Sequence, residues 1–199
     1  FAGTNEFSVF LGEQAGNFAS GKNNIYIGYF NGHRNGGLGP SSDNVLIGYT
    51  AFSEGDQTDG TVGIGFFTGD ELDVVDTVVV GAEAMRDTSN KFMYRNVVFG
   101  ADSLKQADEF SNDNIILGST NIISTSDIAR NFIVIGDTLE DWNGFGTDEE
   151  DAMTIGNLIY ATGMTASGTA LSPGLVGIGV NAPTAQLHTT GSLRLSNFG

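Results

Sequence analysis

Acidic side chains gather in two stretches of the sequence, where they could bind a hard cation or act as a catalytic acid pair. The stretches are "GDELDVVD" (residues 69–76) and "TLEDWNGFGTDEED" (residues 138–151). Because loop carboxylates are ligands that Ca²⁺ prefers, Asp70, Asp73 and Asp76 are predicted as a candidate calcium site. Two carboxyl groups about 5–10 Å apart can instead cleave a glycosidic bond. Solvated acidic turns would show the same pattern without any ligand.

The sequence matches none of the common catalytic or nucleotide-binding motifs. Gly-x-Gly occurs in "VGIGFFTG" (residues 62–69) and "VGIGVN" (residues 176–181), but the third glycine and the helical pattern of a dinucleotide-binding loop are missing. His33 and His188 are the only histidines and lie far apart in the repeat order, so neither a zinc site nor a Ser-His-Asp triad is expected. We predict no catalytic residue, no enzyme activity and no cofactor apart from the calcium candidates.

The only tryptophan lies in an acidic, glycine-containing insertion, residues 140–151. An exposed aromatic ring can stack on a sugar ring, and nearby carboxylates can accept hydrogen bonds from sugar hydroxyls. Insertions of repeat proteins often carry binding, because the core and the neighbouring repeats occupy the regular faces. The predicted binding residues for a cell-surface glycan are Trp142, Asn143, Phe145 and Asp148. Packing of Trp142 against a neighbouring coil is the alternative.

The net charge limits the partners of the chain. Asp and Glu number 24 against 8 Lys and Arg, so the formal net charge is −16. Such a surface repels phosphate backbones and anionic lipid headgroups, which argues against nucleic-acid binding and membrane-surface binding. The chain has no cysteine, which excludes disulfides and thiolate metal sites. No apolar run reaches the roughly 18 residues of a membrane-spanning helix, so membrane insertion is not expected.

A repeat predicts the elements that position these residues. Asn, three apolar residues and Gly occur as "NIYIG", "NVLIG", "NVVFG" and "NIILG", with looser copies between them. The glycine that closes each copy recurs every 16 to 23 residues, at Gly12, Gly28, Gly48, Gly65, Gly81, Gly100, Gly118, Gly136, Gly156 and Gly179. We call these the landmark glycines. Self-similarity at nearly constant spacing is typical of proteins built from one stacked unit.

Each copy predicts a short β-strand rather than a helix. The apolar trios are rich in Val, Ile, Phe and Leu, they are bounded by turn-forming residues, and no segment sustains a 3.6-residue period. We therefore predict an all-β chain, a parallel β-roll or β-solenoid of about ten coils. Asn24, Asn44, Asn96 and Asn114 are expected to stack from coil to coil or to cap turns. Small residues are expected inside the coil three places after the glycine, at Ala15, Ala51, Ala84, Ser103 and Ala182.

The apolar trios also predict association with other chains. Successive side chains of a strand point to opposite faces, so a strand with one buried face should alternate apolar and polar residues. These trios are apolar throughout, as in Val45-Leu46-Ile47. We predict that the middle residues face outward and form an interface with other copies of the chain, which consists of Phe10, Tyr26, Leu46, Val79, Val98, Ile116 and Val134. An apolar stripe of that length must be covered, and a symmetric homo-oligomer is the usual solution.

The pattern resembles two families of fibrous proteins. The Asn, apolar trio and Gly, with a small residue three places later, resemble the left-handed β-roll heads of trimeric autotransporter adhesins. The stretch "GLVGIGVNAPTAQLHTTGSLRL" (residues 174–195) resembles the segment that precedes an intramolecular chaperone domain in phage and phage-like tail fibres. The residues that carry this second match are Gly177, Ile178, Gly179, Pro183, Leu187, Gly191 and Arg194. Both families are homotrimeric, so the resemblance implies a homotrimer and makes the predicted interface of the middle residues a trimer interface.

The resemblance also implies a function in attachment. It implies a structural and receptor-binding segment of a phage or phage-like contractile-injection tail fibre, or of another surface appendage, located extracellularly on a virion or particle surface. The implied partners are a cell-surface glycan or other receptor and other fibre or baseplate proteins. We predict a shaft over residues 1–174 and a C-terminal connector over residues 175–199. A glycan-cleaving tailspike and an adhesin head are the alternatives.

Overall fold

The architecture is that of a computed structural model. It describes residues 7–17, 19–32, 41–53, 58–69, 73–86, 92–103, 112–119, 131–136, 152–156, 158–163 and 174–192. All regular elements within these segments are β-strands, and none is a helix. The prediction of an all-β chain is therefore confirmed for the described part of the sequence.

Fifteen short strands follow one another along the described segments. They are β1 (Val9–Leu11), β2 (Ile25–Tyr29), β3 (Val45–Tyr49), β4 (Thr58–Asp59), β5 (Val62–Phe66), β6 (Asp73–Val75), β7 (Val78–Val80), β8 (Phe92–Tyr94), β9 (Val97–Phe99), β10 (Ile115–Leu117), β11 (Ile133–Ile135), β12 (Met153–Ile155), β13 (Ile159–Thr162), β14 (Leu175–Ile178) and β15 (Leu187–Thr189). Many coincide with an apolar trio, whereas β2, β3 and β5 run on past the landmark glycine. Val, Ile and aromatic residues suit these pleated segments, and Gly, Asn, Asp and Ser suit the turns between them.

Parallel pairing from coil to coil builds a β-solenoid. The main sheet has the order β1-β2-β3-β5-β7-β9-β10-β11-β12-β13-β14-β15, and β4, β6 and β8 form a second sheet. From β1 to β12 the main sheet is parallel and in register, so equivalent residues of successive repeats lie one above another. We call these nine strands the main wall. The second sheet, extended by a bridge between Tyr94 and Asn112, forms the other side of the solenoid, and the chain completes about five turns between β2 and β10. A parallel β-solenoid is confirmed, and the count of ten coils stays a prediction.

The landmark glycines form a corner that leaves no room for a side chain. Gly28, Gly48 and Gly65 have φ values of 124°, 141° and 152°, which residues with a Cβ rarely adopt. A Cβ on Gly48 would also lie far inside the contact distance of the carbonyl oxygen of Gly65 in the next turn. The same close approach repeats along the wall from Gly12 to Gly100. Turns stacked about 4.8 Å apart therefore require glycine at this corner.

The repeated asparagines form the predicted ladder inside the solenoid. The side-chain oxygen of Asn24 accepts hydrogen bonds from the backbone N–H and the side-chain N–H of Asn44, both at 3.1 Å. Asn44 accepts in turn from the backbone N–H of Thr61 at 3.0 Å, and Asn96 and Asn114 continue the pattern toward β11. All four asparagines are fully buried. Because buried N–H groups need partners, this ladder holds each turn in register with the next.

The middle residue of each trio points into the solenoid, so the predicted outward orientation is wrong. The residues assigned to the trimer interface are instead core residues of their own chain: Tyr26, Leu46, Val79, Val98 and Ile116 are fully buried, Val134 is 3% exposed, and half-buried Phe10 packs against the same cluster. The reason is the pleat of the strand, because residues two places apart share a face. Asn24 lies inside, so Tyr26 lies inside as well.

In β5 the middle residue of the trio is Gly63, and an aromatic ring occupies the core space that a larger side chain would fill at that position. Gly63 lies between Leu46 and Val79 in the register. A Cβ on Gly63 would collide with the ring of Phe52, and Phe52 itself is fully buried. The Gly-x-Gly at residues 63–65 therefore contributes to the packing of the solenoid.

The regular parallel stacking ends at β12. Strand β13 pairs antiparallel with β12, β14 pairs antiparallel with β13, and β15 is parallel to β14. The tenth landmark, Gly179, follows β14 and lies outside the parallel run. Ala182 is exposed, unlike the buried Ala51, Ala84 and Ser103, so its expected place inside a coil is wrong. The predicted connector begins with β14, which continues the main sheet.

Candidate interaction surface

The outward side of the main wall is apolar at every level. The residues on either side of each middle residue form two columns that follow the register of the strands. The first column is Val9, Ile25, Val45, Val62, Val78, Val97, Ile115, Ile133 and Met153, and the second is Leu11, Ile27, Ile47, Ile64, Val80, Phe99, Leu117, Ile135 and Ile155. None of these residues is polar, although charged residues make up 16% of the chain. We call the two columns the outer face.

The outer face is open to solvent in the single chain. Leu11 is 64% exposed, Phe99 42% and Ile115 40%, and many other members are half-buried by their neighbours along the columns. Nine levels at about 4.8 Å make the face about 43 Å long, and two columns about 7 Å apart make it about 10 Å wide once the width of the side chains is included, so its area is roughly 400 Å². An area of this order is comparable to the largest apolar patch of a typical monomeric protein, and such patches are often functional. The outer face is therefore the strongest candidate for an interaction surface in the described part of the chain.

A column of aromatic rings borders the outer face beyond the landmark glycines. Tyr29, Tyr49 and Phe66 lie level with one another in β2, β3 and β5. The ring centroids of Tyr29 and Tyr49 are 5.0 Å apart, those of Tyr49 and Phe66 are 5.2 Å apart, and both pairs are stacked. Phe30 and Phe67 pack at an angle against these rings. We call Tyr29, Tyr49 and Phe66 the aromatic column.

Another corner of the turns, just before the main-wall strands, carries charged and polar residues in the left-handed backbone conformation. Asn23, Asp43, Asp76, Arg95 and Asp113 have φ values between 53° and 61°, a region in which Asn and Asp are enriched. Arg95 forms a two-point ion pair with Asp113, with Nε–Oδ1 at 2.6 Å and Nη2–Oδ2 at 2.7 Å. Hydrogen bonding by Arg95, aided by its charge, holds the pKa of Asp113 below its usual value. This pair joins two successive turns on the surface.

The structure places only part of the candidate calcium site. Asp76 is exposed at this corner, Asp73 lies in β6, and Asp70 lies outside the described residues. The described segments contain no cluster of three or more Asp, Glu, His or Cys side chains that could hold a metal ion. The calcium site therefore stays a prediction.

The predicted glycan-binding loop falls on the part of the chain that the structure does not describe. The residues concerned are Trp142, Asn143, Phe145 and Asp148, and His33 lies outside the described residues as well. His188 is placed in β15, where its Nδ1 accepts a hydrogen bond from the backbone N–H of Thr184 at 3.3 Å. A role of the loop in binding thus stays a prediction.

Comparison with known proteins adds no relative to these observations. No protein-family model matches the chain, and neither does any curated protein or solved structure. Within the described segments no helix has the length and apolarity needed to cross a bilayer.

The aromatic column was not predicted from the sequence, and the predicted interface was placed on the middle residues of the trios instead of the residues on either side of them. A signal for the column was present, because Tyr29, Tyr49 and Phe66 each follow a landmark glycine directly in three successive repeats. A signal for the outer face was present too, because Asn24 and Tyr26 must share one face of a strand. An asparagine ladder inside the coil therefore requires the flanking residues, not the middle ones, to point outward.

Proposed function

We propose that this chain is a structural and receptor-binding segment of a homotrimeric fibre, in a phage or phage-like injection-system tail fibre or another extracellular surface appendage. The observation that carries the proposal is the outer face, an uninterrupted apolar surface on every level of the main wall. An apolar surface of this size gains free energy when another surface excludes water from it. Lateral association along the solenoid is the arrangement that covers all levels at once.

A copy of the same chain fits the outer face better than an unrelated globular partner. A parallel copy presents the same two columns with the same spacing from turn to turn, so apolar residues meet apolar residues at each level. Three main walls around one axis would bury the three outer faces in a shared core, and closed symmetry leaves no face uncovered. The charges that give the net −16 would stay on the solvated sides and keep the fibre soluble. The threefold number itself follows from the resemblance to trimeric fibres.

Attachment uses the surfaces that such an assembly leaves free. Corners and insertions are free to vary because they are neither in the core nor on the outer face. The insertion at residues 140–151, with Trp142, is one proposed contact with a cell-surface glycan or another receptor. Three copies of each site in one fibre would raise the apparent affinity by avidity without any new contact. The proposal includes no catalytic step.

The mass of the particle in solution tests the assembly. Light scattering coupled to gel filtration should give close to three times 20.9 kDa at micromolar concentration. A monomer at that concentration would contradict lateral association through the outer face, and with it the fibre proposal. A stable dimer or tetramer would keep lateral association and replace only the trimer.

Retention on cell surfaces and on a glycan array tests the attachment. The wild-type chain should bind in both formats, and replacement of residues 140–151 by a short Gly-Ser linker should reduce binding while the melting temperature changes little. Absence of retention on any surface would leave a fibre segment without a receptor-binding role. Release of reducing ends from a bound polysaccharide would replace attachment by a glycan-cleaving activity.

A further inference from the structure

The aromatic column stops abruptly after Phe66. The backbone N–H of Gly81 donates to the carbonyl oxygen of Ile64 at 2.9 Å, and the N–H of Glu83 donates to that of Phe66 at 2.7 Å. Ala82 therefore occupies the level that follows Phe66 in the column. The N–H of Asp102 donates to the carbonyl oxygen of Ala82 at 2.9 Å, so the level after that is Ala101. Two small, exposed residues thus follow three stacked rings.

Because alanine is much smaller than an aromatic residue, the surface is lower beyond Phe66 than along the aromatic column. We call the space beside the Phe66 ring and above Ala82 and Ala101 the recess. A turn adds about 4.8 Å to the solenoid, so the two alanine levels span roughly 10 Å along its axis. One face of the Phe66 ring stacks on Tyr49, and among the described residues no ring stacks on the other face. Phe66 is 47% exposed. The recess therefore has an aromatic ring as its wall and methyl groups as its floor.

The aromatic wall of the recess is held in place before any ligand arrives. The Phe66 ring packs against Phe67 with centroids 4.5 Å apart and an interplanar angle of 87°. The guanidinium of Arg86 lies 4.7 Å from the Phe67 ring centroid and pairs with the carboxylate of Glu83 at 3.1 Å. A ring fixed on two sides loses little conformational entropy when a ligand stacks on it.

Polar groups follow the floor of the recess in the sequence. Glu83 comes directly after Ala82, and Asp102 comes directly after Ala101. Both have positive φ values, 53° and 52°, and both are partly exposed. Carboxylates accept hydrogen bonds from hydroxyl groups, and the Arg86 guanidinium of the adjacent ion pair is a donor. The Arg86–Glu83 pair lies beside Phe67, which packs against Phe66, so hydrogen-bonding groups lie near the open aromatic face, and amphipathic rings need this combination.

We propose that a neutral pyranose ring of a glycan binds in this recess, stacked on the open face of Phe66 above Ala82. A pyranose has an apolar C–H face for the ring and hydroxyl groups at its edge for Glu83 and Asp102. The net charge of −16 and the two carboxylates disfavour anionic ligands such as sialylated or phosphorylated sugars. A purely apolar ligand would leave the carboxylates without a bonding partner from the ligand. The inference deepens the attachment part of the proposed function and rests on it.

Saturation-transfer NMR and a neutral-glycan array test the site on the full chain. The probes are maltotriose, cellotriose and N,N′-diacetylchitobiose, with N-acetylneuraminic acid as the anionic control and N-acetyl-phenylalaninamide as the apolar aromatic control. At least one neutral probe or array glycan should bind at millimolar concentration or below. Phe66→Ala should weaken this binding roughly tenfold, since an aromatic stack contributes about that much. Phe66→Tyr, which keeps the ring, should restore it.

Two further variants separate the recess from the rest of the surface. Ala82→Leu keeps Phe66 but covers its open face with an aliphatic side chain that offers no ring to stack on, so neutral sugars should no longer bind. Phe7→Ala removes an exposed aromatic ring that belongs neither to the outer face nor to the aromatic column, and it should leave sugar binding unchanged. Equal binding by Phe66→Ala and wild type overturns the proposal, as does absence of any neutral-sugar binding across the array. Stronger binding of N-acetyl-phenylalaninamide than of any sugar identifies an apolar docking site instead.

Light scattering on the same samples keeps the two proposals apart. Sugar binding that depends on Phe66 in a monomeric sample supports the recess and contradicts the trimer. A trimer that is retained on cells equally with Phe66→Ala, Ala82→Leu and wild type supports the fibre and contradicts the recess. Circular dichroism of each variant confirms that a loss of binding is not a loss of fold.

Discussion

The two faces of the main wall are built from the same residue types, but one face is buried and the other is open to solvent. In β10, Ile116 is fully buried and Ile115 is 40% exposed, although they are adjacent and identical. The middle residues of the trios, which we call the inner column, pack against the second half of their own turn, whereas the two columns of the outer face have no partner among the described residues. The difference shows that hydrophobicity alone did not decide which side of the strand became the core. The asparagine ladder and the glycine corner decided it, because their geometry works only with one side facing inward.

A charge on the inner column should have the largest effect. Ile116→Glu places a carboxylate where no water or cation is available to it, which costs at least about 3–5 kcal/mol. That is a large share of the total stability of a typical domain. We expect loss of the β-sheet signal in circular dichroism at 25 °C, or a melting temperature lowered by tens of degrees. A folded monomeric Ile116→Glu chain would instead support an outward position for the middle residues.

The glycine corner between the two faces should come next. Gly48→Ala combines a φ value of 141° with a Cβ that collides with the carbonyl oxygen of Gly65. Backbone strain of this kind and a clash with a rigid neighbour together cost roughly 3 kcal/mol or more. Denaturant unfolding followed by circular dichroism measures the change. The control is Gly191→Ala, because a Cβ there meets nothing within 4 Å, and near-equal effects of the two substitutions would contradict the argument.

A charge on the outer face should leave the turns folded and abolish the association of chains. Ile115→Glu is the matched partner of Ile116→Glu in the same strand, with its side chain directed to the open side. The stability of the single chain should change by less than about 1 kcal/mol, as is usual for surface substitutions. Three like charges near one axis should dissociate a trimer. Light scattering should therefore give the monomer mass with an unchanged circular dichroism spectrum, and a persistent trimer would exclude the outer face as its interface.

The ion pair away from both faces should have the smallest effect and a defined pH dependence. Arg95 lowers the pKa of Asp113 below its usual value near 3.8 in the folded chain. The pair therefore contributes stability that is fully present above that value and is lost as the pH falls through the lower, folded-state pKa. The difference in stability between wild type and Asp113→Asn should be constant from pH 7 to about pH 5 and shrink below about pH 4. A difference that grows on acidification would contradict this sign.

The sequence predicted the backbone architecture better than the orientation of the side chains. The landmark glycines predicted the corners, because only glycine fits where one turn's backbone approaches the next. Asn24 and Asn44 predicted the register, because an amide can donate and accept along the same stack. The trios could not show which side was inside, because each was apolar on both faces. Gly63 illustrates the same limit, since nothing local indicates that the ring of Phe52, from the preceding turn, fills its place.

The sequence by itself determined that the chain is all-β, that its turns stack in parallel, and where each turn bends. Those properties depend on spacing and on local backbone preferences, which are written in each repeat. Only the tertiary structure decided which apolar residues form the core, that Tyr29, Tyr49 and Phe66 stack into a column, and that Ala82 interrupts it. These depend on contacts between residues 16 to 20 positions apart, and a contact between turns exists only once the turns are stacked. The recess beside Phe66 is for that reason a property of the folded chain and of no single repeat.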